Sequence, residues 1–317
     1  MTSYKALTAF ADVVLPSAIS EKLRSAVRER RTRANRLERQ RRVDHWQELK
    51  NRGETETIEV QPGVWLELFH DSDLCRLIYT GGYEETERKF LNAFLRSGDV
   101  FVDVGANIGL YSMIVAKIVG EQGRVHAFEP CRRTFDRLKG NLQLNRRHNV
   151  EIHPMALSDS AGELDMTVSL DGYDGWNTLA PQIVGNHAAV EKVQTARWDD
   201  IYASICGERT VAMMKVDIEG WESRFLAGAQ RFLSTEDAPL LQLEFNDENA
   251  KAAGSSGKEV YRILTDLGYR MFKYSEQSVL CPEPVRDYYS YVNIIATKRP
   301  EHVMSRLTSG QAAGWVY

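Results

Sequence analysis

Asp103-Val104-Gly105-Ala106-Asn107-Ile108-Gly109 lies between two apolar runs, Val100-Phe101-Val102 before it and Leu110 to Val119 after it. That order predicts a strand, a glycine-rich turn and a helix. It puts an acid at the strand end and backbone N–H groups at a helix N-terminus. Glycine at 105 and 109 lets a ligand approach where a Cβ would collide. Further on, Arg124-Val125-His126-Ala127-Phe128-Glu129-Pro130 reads as the next strand. It ends in a carboxylate, Glu129, 20 residues after Gly109. At that point of a βαβ unit an acid can accept both hydroxyls of a ribose. A dinucleotide turn would read G-x-G-x-x-G, with the middle glycine against a pyrophosphate. Here Asn107 stands in the middle and the turn carries no basic residue. Asp103 would repel a phosphate and favour a cation. An adenosine whose amino-acid tail carries a positive centre, S-adenosylmethionine, meets these conditions; another nucleotide, or no ligand, is the plainer alternative.

The bulk numbers set limits. A chain of 317 residues with 43% hydrophobic residues can hold one large α/β domain and an extension. A net charge of -4 gives no overall affinity for nucleic acid. Cys75, Cys131, Cys206 and Cys281 are widely spaced, which argues against a zinc motif and a disulfide scaffold. With no long apolar run and no signal-like start, the expected location is the cytoplasm.

Charge is unevenly spread. Residues 21–43 hold ten Lys/Arg against three Glu, with no glycine before Gly53. This predicts a basic helix, either packed lightly on the core or a partner subunit or set against an anionic surface. The apolar run Phe10 to Leu15 before it would allow peripheral membrane contact. The chain is therefore divided into a basic helical extension over 1–55, a β-hairpin and helix over 56–98, a nucleotide-binding domain over 99–300 and a tail over 301–317. Within the domain, strands are expected near 99–104, 124–128, 150–154, 211–217 and 240–245, then an antiparallel pair at 269–274 and 291–297. Residues 163–199 read as an insertion, with a loop (Asp171 to Asn177) suited to line a substrate cleft or simply exposed.

With these segments placed, residues 80–297 resemble the FkbM family of S-adenosylmethionine-dependent methyltransferases. The resemblance rests on Gly82-Tyr83-Glu84 with Glu87, the Asp103 to Gly109 turn, Ala127-Phe128-Glu129-Pro130, and Leu138 with Asn141 and Asn145. It continues through Ala156-Leu157-Ser158-Asp159, Lys215-Val216-Asp217-Ile218-Glu219-Gly220 and Glu244. Trp198 before Asp199 departs from the small aliphatic residue expected there. The resemblance implies the class I methyltransferase fold, a Rossmann-like, seven-stranded, mostly parallel sheet with the last strand antiparallel. It also implies O-methylation of a hydroxyl on a sugar, glycan or secondary metabolite.

Roles follow for single residues. Asp103 with Gly105, Ala106, Asn107 and Gly109 should hold the methionine end of the cofactor, Glu129 the ribose, and Ser158 the adenine edge. Asp217 and Glu244 end neighbouring strands, where ligands bind an open parallel sheet. They are the candidate general base and its helper, or oxygen ligands for a divalent ion such as magnesium. Alternatively, Asp217 only caps the next helix. His70, His126 and His153 are weaker candidates for the base. The expected chemistry is in-line displacement by an acceptor hydroxyl. The competing readings are an NAD-dependent oxidoreductase acting on a nucleotide sugar, and a non-catalytic scaffold. The acceptor and any homo-oligomer are left open.

Overall fold

In the computed structural model the described residues are 17–181, 187–275 and 279–312. The apolar run Phe10 to Leu15 lies outside them. The basic stretch forms one helix, α1 (Ser17–Arg52). Its arginines from Arg33 to Arg42 are exposed, while Trp46 and Leu49 near its end are buried. The boundary placed at residue 55 therefore falls just after a helix whose last turns already belong to the core. The side chains of Ile19 and Leu23 on this helix lie outside the described set.

The expected hairpin follows as β1 (Thr55–Gln61) and β2 (Val64–Phe69), paired antiparallel. Then come α2 (Asp73–Thr80) and α3 (Glu85–Phe94). Trp46 packs its ring 5.3 Å from Tyr79 on α2, which anchors α1.

The main sheet is built from β3 (Val100–Val104), β4 (Arg124–Phe128), β5 (Val150–His153), β9 (Val211–Val216), β10 (Leu240–Phe245), β11 (Arg270–Tyr274), β12 (Leu280–Pro282) and β13 (Val292–Thr297). Its order is β12-β11-β13-β10-β9-β3-β4-β5. Strands β5, β4, β3, β9 and β10 run parallel, and β13 lies antiparallel between β10 and β11. Seven of these strands give the sheet implied by the resemblance; the eighth, β12, is a three-residue addition at the edge. Helices α4 (Leu110–Val119) and α5 (Arg132–Asn145) cross between the first strands. Residues in β3 and β10 are buried throughout, as parallel strands covered on both faces must be. Two apolar cores result, one under α4 and the hairpin around Phe101 and Met213, the other around Val102, Met214 and Phe225.

The insertion forms its own three-stranded sheet from β6 (Ala156–Leu157), β7 (Gly162–Ser169) and β8 (Ala188–Ala196), ordered β6-β8-β7. The chain returns through α6 (Trp198–Cys206) to β9. Trp198 is fully buried against Phe128 and Phe232, so the departure from the family pattern fills the second core. After β9, residues 222–233 form two helices, α7 (Glu222–Gly228) and α8 (Gln230–Leu233), separated at Ala229. Next come α9 (Asp247–Ala252) and α10 (Gly257–Asp266). The segment set apart as a tail is instead a helix, α11 (Pro300–Ala312). Val303 and Leu307 are buried, and Arg306 holds both oxygens of Asp99 at 2.5 and 3.2 Å. None of the described helices is long and apolar enough to cross a membrane.

Candidate active site

The carboxyl ends of β3, β4, β9 and β10 open into a cavity of about 360 Å³. Two of its walls have distinct chemistry. The first is the glycine turn. Gly105 has φ +85°, and a Cβ there would lie 1.9 Å from the Asp217 carbonyl oxygen. Glycine is therefore demanded by the neighbouring β9 turn rather than by a ligand. Gly109 (φ +90°) packs on Leu138, whose Cδ1 would be 2.5 Å from an added Cβ, and it does not line the cavity. The turn amides are already used: Gly105 N and Ala106 N donate to the Phe128 carbonyl, Asn107 N to Glu129, and Gly109 N to the Ala106 carbonyl. What the turn offers a ligand is its surface and the acid behind it, not free donors.

Glu129 ends β4 and faces this wall. Its Oε2 accepts from Asn107 N at 2.9 Å; its Oε1 accepts from Cys131 N at 2.9 Å and from the Thr134 hydroxyl at 2.7 Å. Burial pushes its pKa up to about 7, against the lowering effect of those three donors. Asn141, a lone motif residue in the sequence, proves structural: its amide donates to the Ile108 carbonyl and accepts from Glu67 N, tying the turn to β2. Asn145 does the same for the backbone of Trp65.

The second wall is acidic. Asp217, Glu219 and Glu244 bring carboxylate oxygens within 4.8 Å of one another, so the convergence expected for Asp217 and Glu244 occurs. Asp217 does not cap α7; Glu222 reaches back instead to Ile218 N and Gly220 N at 3.2 and 3.3 Å. Glu219 has a left-handed φ of 52°, and its Oε2 accepts from Asn249 at 2.5 Å. Burial, then the charges of Glu219 and Asp217, holds Glu244 well above the usual carboxylate range. Burial and Asp217 do the same to Glu219.

One buried cation serves this wall. Lys215 Nζ donates to Asp217 Oδ2 at 2.6 Å and sits 4.5 Å from the Tyr111 ring centroid. Burial works to strip its proton, but Asp217, Glu84 and Asp103 outweigh burial and raise its pKa above the ordinary lysine value. Sequence reading gave Lys215 no role, although a lysine inside Val-Ala-Met-Met-Lys-Val is the signal: a buried cation requires paired anions. Glu84 was missed too. It comes from the loop before α3 and accepts from the Tyr111 hydroxyl at 2.6 Å. Asp103 Oδ2 accepts from Ser112 at 2.6 Å, while its Oδ1 is buried without a partner.

Three sequence expectations fail on geometry. Ser158 is fully buried; its hydroxyl accepts from Trp221 Nε1 at 3.0 Å and donates to Asp159, so it does not reach the cavity. Met155, Ala156, Leu157 and Trp221 line that wall instead. His126 and His153 lie beyond Phe128, outside the lining, and His70 bonds the Glu54 carbonyl. No histidine lines the cavity, so the base candidates there are carboxylates. The loop of the insertion does line the cavity. Tyr173 and Trp176 stack at 5.0 Å, and Trp176 is 56% exposed. Asp174 anchors that loop: it is buried, accepts from Ser72 at 2.7 Å, and its carbonyl accepts from Asn107.

Comparison with known proteins fits this arrangement. The chain is 30% identical over 164 residues to the 31-O-demethyl-FK506 methyltransferase FkbM of Streptomyces tacrolimicus, covering 43% of this chain and 61% of that protein. It is 28% identical over 215 residues to the hexuronic acid methyltransferase AglP of Haloferax volcanii, covering 66% of this chain and 75% of AglP. Against FkbM and sdnD of Sordaria araneosa the matched part is only 61% and 62% of the relative's length. A crystal structure of methyltransferase FkbM from Methylobacillus flagellatus aligns over 70% of this chain and 54% of that one, at 15% identity and TM-score 0.40. The methyltransferase FkbM domain matches residues 103–271, more than half of the chain and the whole span from the glycine turn to β11, so this protein belongs to the FkbM methyltransferase family.

Proposed function

We propose that the protein is an S-adenosylmethionine-dependent O-methyltransferase acting on a hydroxyl of a sugar, glycan or secondary metabolite. The observation that carries this is the acidic wall around one buried ammonium, at the strand ends beside an acceptor-rich nucleotide cradle. The residues present fit the cofactor. The cavity has spare acceptors, including the unpartnered Asp103 Oδ1, and a turn without free donors, which suits a cationic ligand better than a phosphate. Glu129 retains lone pairs for ribose hydroxyls. The apolar wall of Phe128, Met155 and Leu157 suits an adenine ring. Bound there, the sulfonium supplies an activated methyl group for displacement by an acceptor oxygen.

The protein's own work is alignment and proton removal. Asp217, fixed by Lys215, is the general base for the acceptor hydroxyl. Glu244 keeps its proton to higher pH and its side chain makes no hydrogen bond among the described residues, which leaves the carboxyl to orient the acceptor. Trp176 and Tyr173 present a flat apolar face at the mouth, the kind of surface on which a sugar ring stacks. Lys215 already pairs with Asp217 Oδ2, so the ammonium supplies positive charge at this wall with or without a metal ion on the remaining carboxylate oxygens.

The test is calorimetric titration with S-adenosylmethionine alongside turnover on sugar hydroxyls, for wild type and Asp217→Asn. Saturable binding should survive in the variant while turnover falls about 10²–10⁴-fold, the usual contribution of a positioned base. Full turnover in Asp217→Asn removes the assigned base. Loss of turnover on chelation with EDTA that magnesium restores and zinc does not returns the metal reading at the acidic wall.

A further inference from the structure

Outside the cavity, the β4–β5 edge of the sheet gathers a second set of ligating side chains. The parallel register sets His126 beside Glu151 and Phe128 beside His153. Residues two apart on a strand share a face, so His126, Glu151 and His153 project together. Each can place one ligand atom so that all three lie within 4.8 Å of one another. His126 is 2% exposed and its Nδ1 lies 3.3 Å from Glu151 Oε2, without the geometry of a hydrogen bond. His153 Nε2 is likewise buried with no partner. Two orphaned imidazole nitrogens on one face are costly unless something binds them.

We propose that His126, Glu151 and His153 form a binding site for a divalent transition-metal ion, zinc being the best match. Two imidazoles and a carboxylate are a common three-ligand zinc set that leaves a fourth position for water. Ligands about 2.0–2.1 Å from zinc lie about 3.3 Å apart, so the site closes with small side-chain rotations. The exposed Glu151 carboxylate, 64% accessible, provides the entry path. Arg124 and Arg209 add nearby positive charge, which weakens the site without blocking it.

An ion here would brace the cofactor wall from behind. The His153 ring stacks on Phe128 at 4.5 Å, and the His153 carbonyl accepts from Glu129 N at 3.1 Å. Phe128 and Glu129 both line the cavity.

The experiment uses the tag-free chain, stripped with EDTA and titrated with zinc chloride by calorimetry, and with cobalt(II) by visible absorption. One equivalent should bind, and His153→Asn and Glu151→Gln should each weaken affinity about tenfold or more. His126→Asn should do the same. Should that buried substitution fail to fold, the other two variants decide the matter. Asp217→Asn should leave zinc affinity unchanged. The proposal is overturned if no zinc binds, if the variants bind it as wild type does, or if binding is lost only in Asp217→Asn.

Discussion

The two walls of the cavity treat their carboxylates in opposite ways. On the glycine-turn side, Glu129 has three donors and Asp103 has Ser112. On the strand-end side, Asp217, Glu219, Glu244 and Glu84 share one ammonium, Lys215. The first wall is held by hydrogen bonds to backbone and hydroxyls, and its geometry is fixed before any ligand arrives. The second is held by charge, and the Asp217 carboxylate helps burial raise the pKa of Glu84, Glu219 and Glu244. Preorganised acceptors suit binding, whereas crowded carboxylates poised around a cation suit proton transfer. In the proposed reaction the same residue type would do two jobs because its surroundings differ.

Removing the cation should have the largest effect. Lys215→Met leaves the buried acids uncompensated, and stripping one partner from a buried pair costs about 3–5 kcal/mol. Urea denaturation should show that loss, and turnover should collapse with it. A stable, active Lys215→Met protein would mean that charge does not organise the second wall, and the contrast would fail. Next is Gly105→Ala, which touches the seam between the walls. Its Cβ would meet the Asp217 carbonyl at 1.9 Å in a left-handed conformation. Strain in that region alone costs about 1–3 kcal/mol, and the clash adds to it. The variant should lose stability and, by shifting the Asp217 backbone, lose turnover more than cofactor affinity. Equal losses of both would show that the walls move as one unit.

What could be read from the sequence divides along the same line. The Asp103 to Gly109 turn and Glu129 are local, since a strand, a glycine turn and the next strand end are contiguous and periodic. The strand positions followed from apolar runs broken by helical segments, while the arrangement of the sheet came only from the family resemblance. The second wall is assembled from Glu84, Lys215, Asp217, Glu219 and Glu244, three segments whose meeting is a property of the closed sheet. Asp217 and Glu244 could be paired because both end strands. Glu84 could not, as it precedes the domain in a loop. Ser158 misled for a different reason: its position after β5 was right, but Trp221, 63 residues on, claims its hydroxyl. The helix over 300–312 lacked a continuous apolar pattern: among its described side chains Pro300, Val303 and Leu307 are buried, and Arg306 does part of the docking.

The smallest effect is on pH dependence, and it asks whether the acid wall has a stability cost. Glu222 sits directly behind that wall, and burial raises its pKa to about 7 from an ordinary 4.5. Between those values the folded chain binds more protons than the unfolded chain, so stability falls as pH rises. The stabilisation from the protonated form is fully present below pH 4.5 and is lost as pH passes through about 7. Glu129, raised to about 7 as well, adds to the same slope. Glu222→Gln keeps the side-chain oxygen that Ile218 N and Gly220 N donate to, and it cannot ionise. Urea midpoints measured from pH 5 to pH 8 should fall in the wild type and fall less steeply in this variant. Because Glu129 remains, the slope should shrink without vanishing. An unchanged slope would place the titrating proton on the first wall, and the contrast between the walls would then lie in geometry and not in charge.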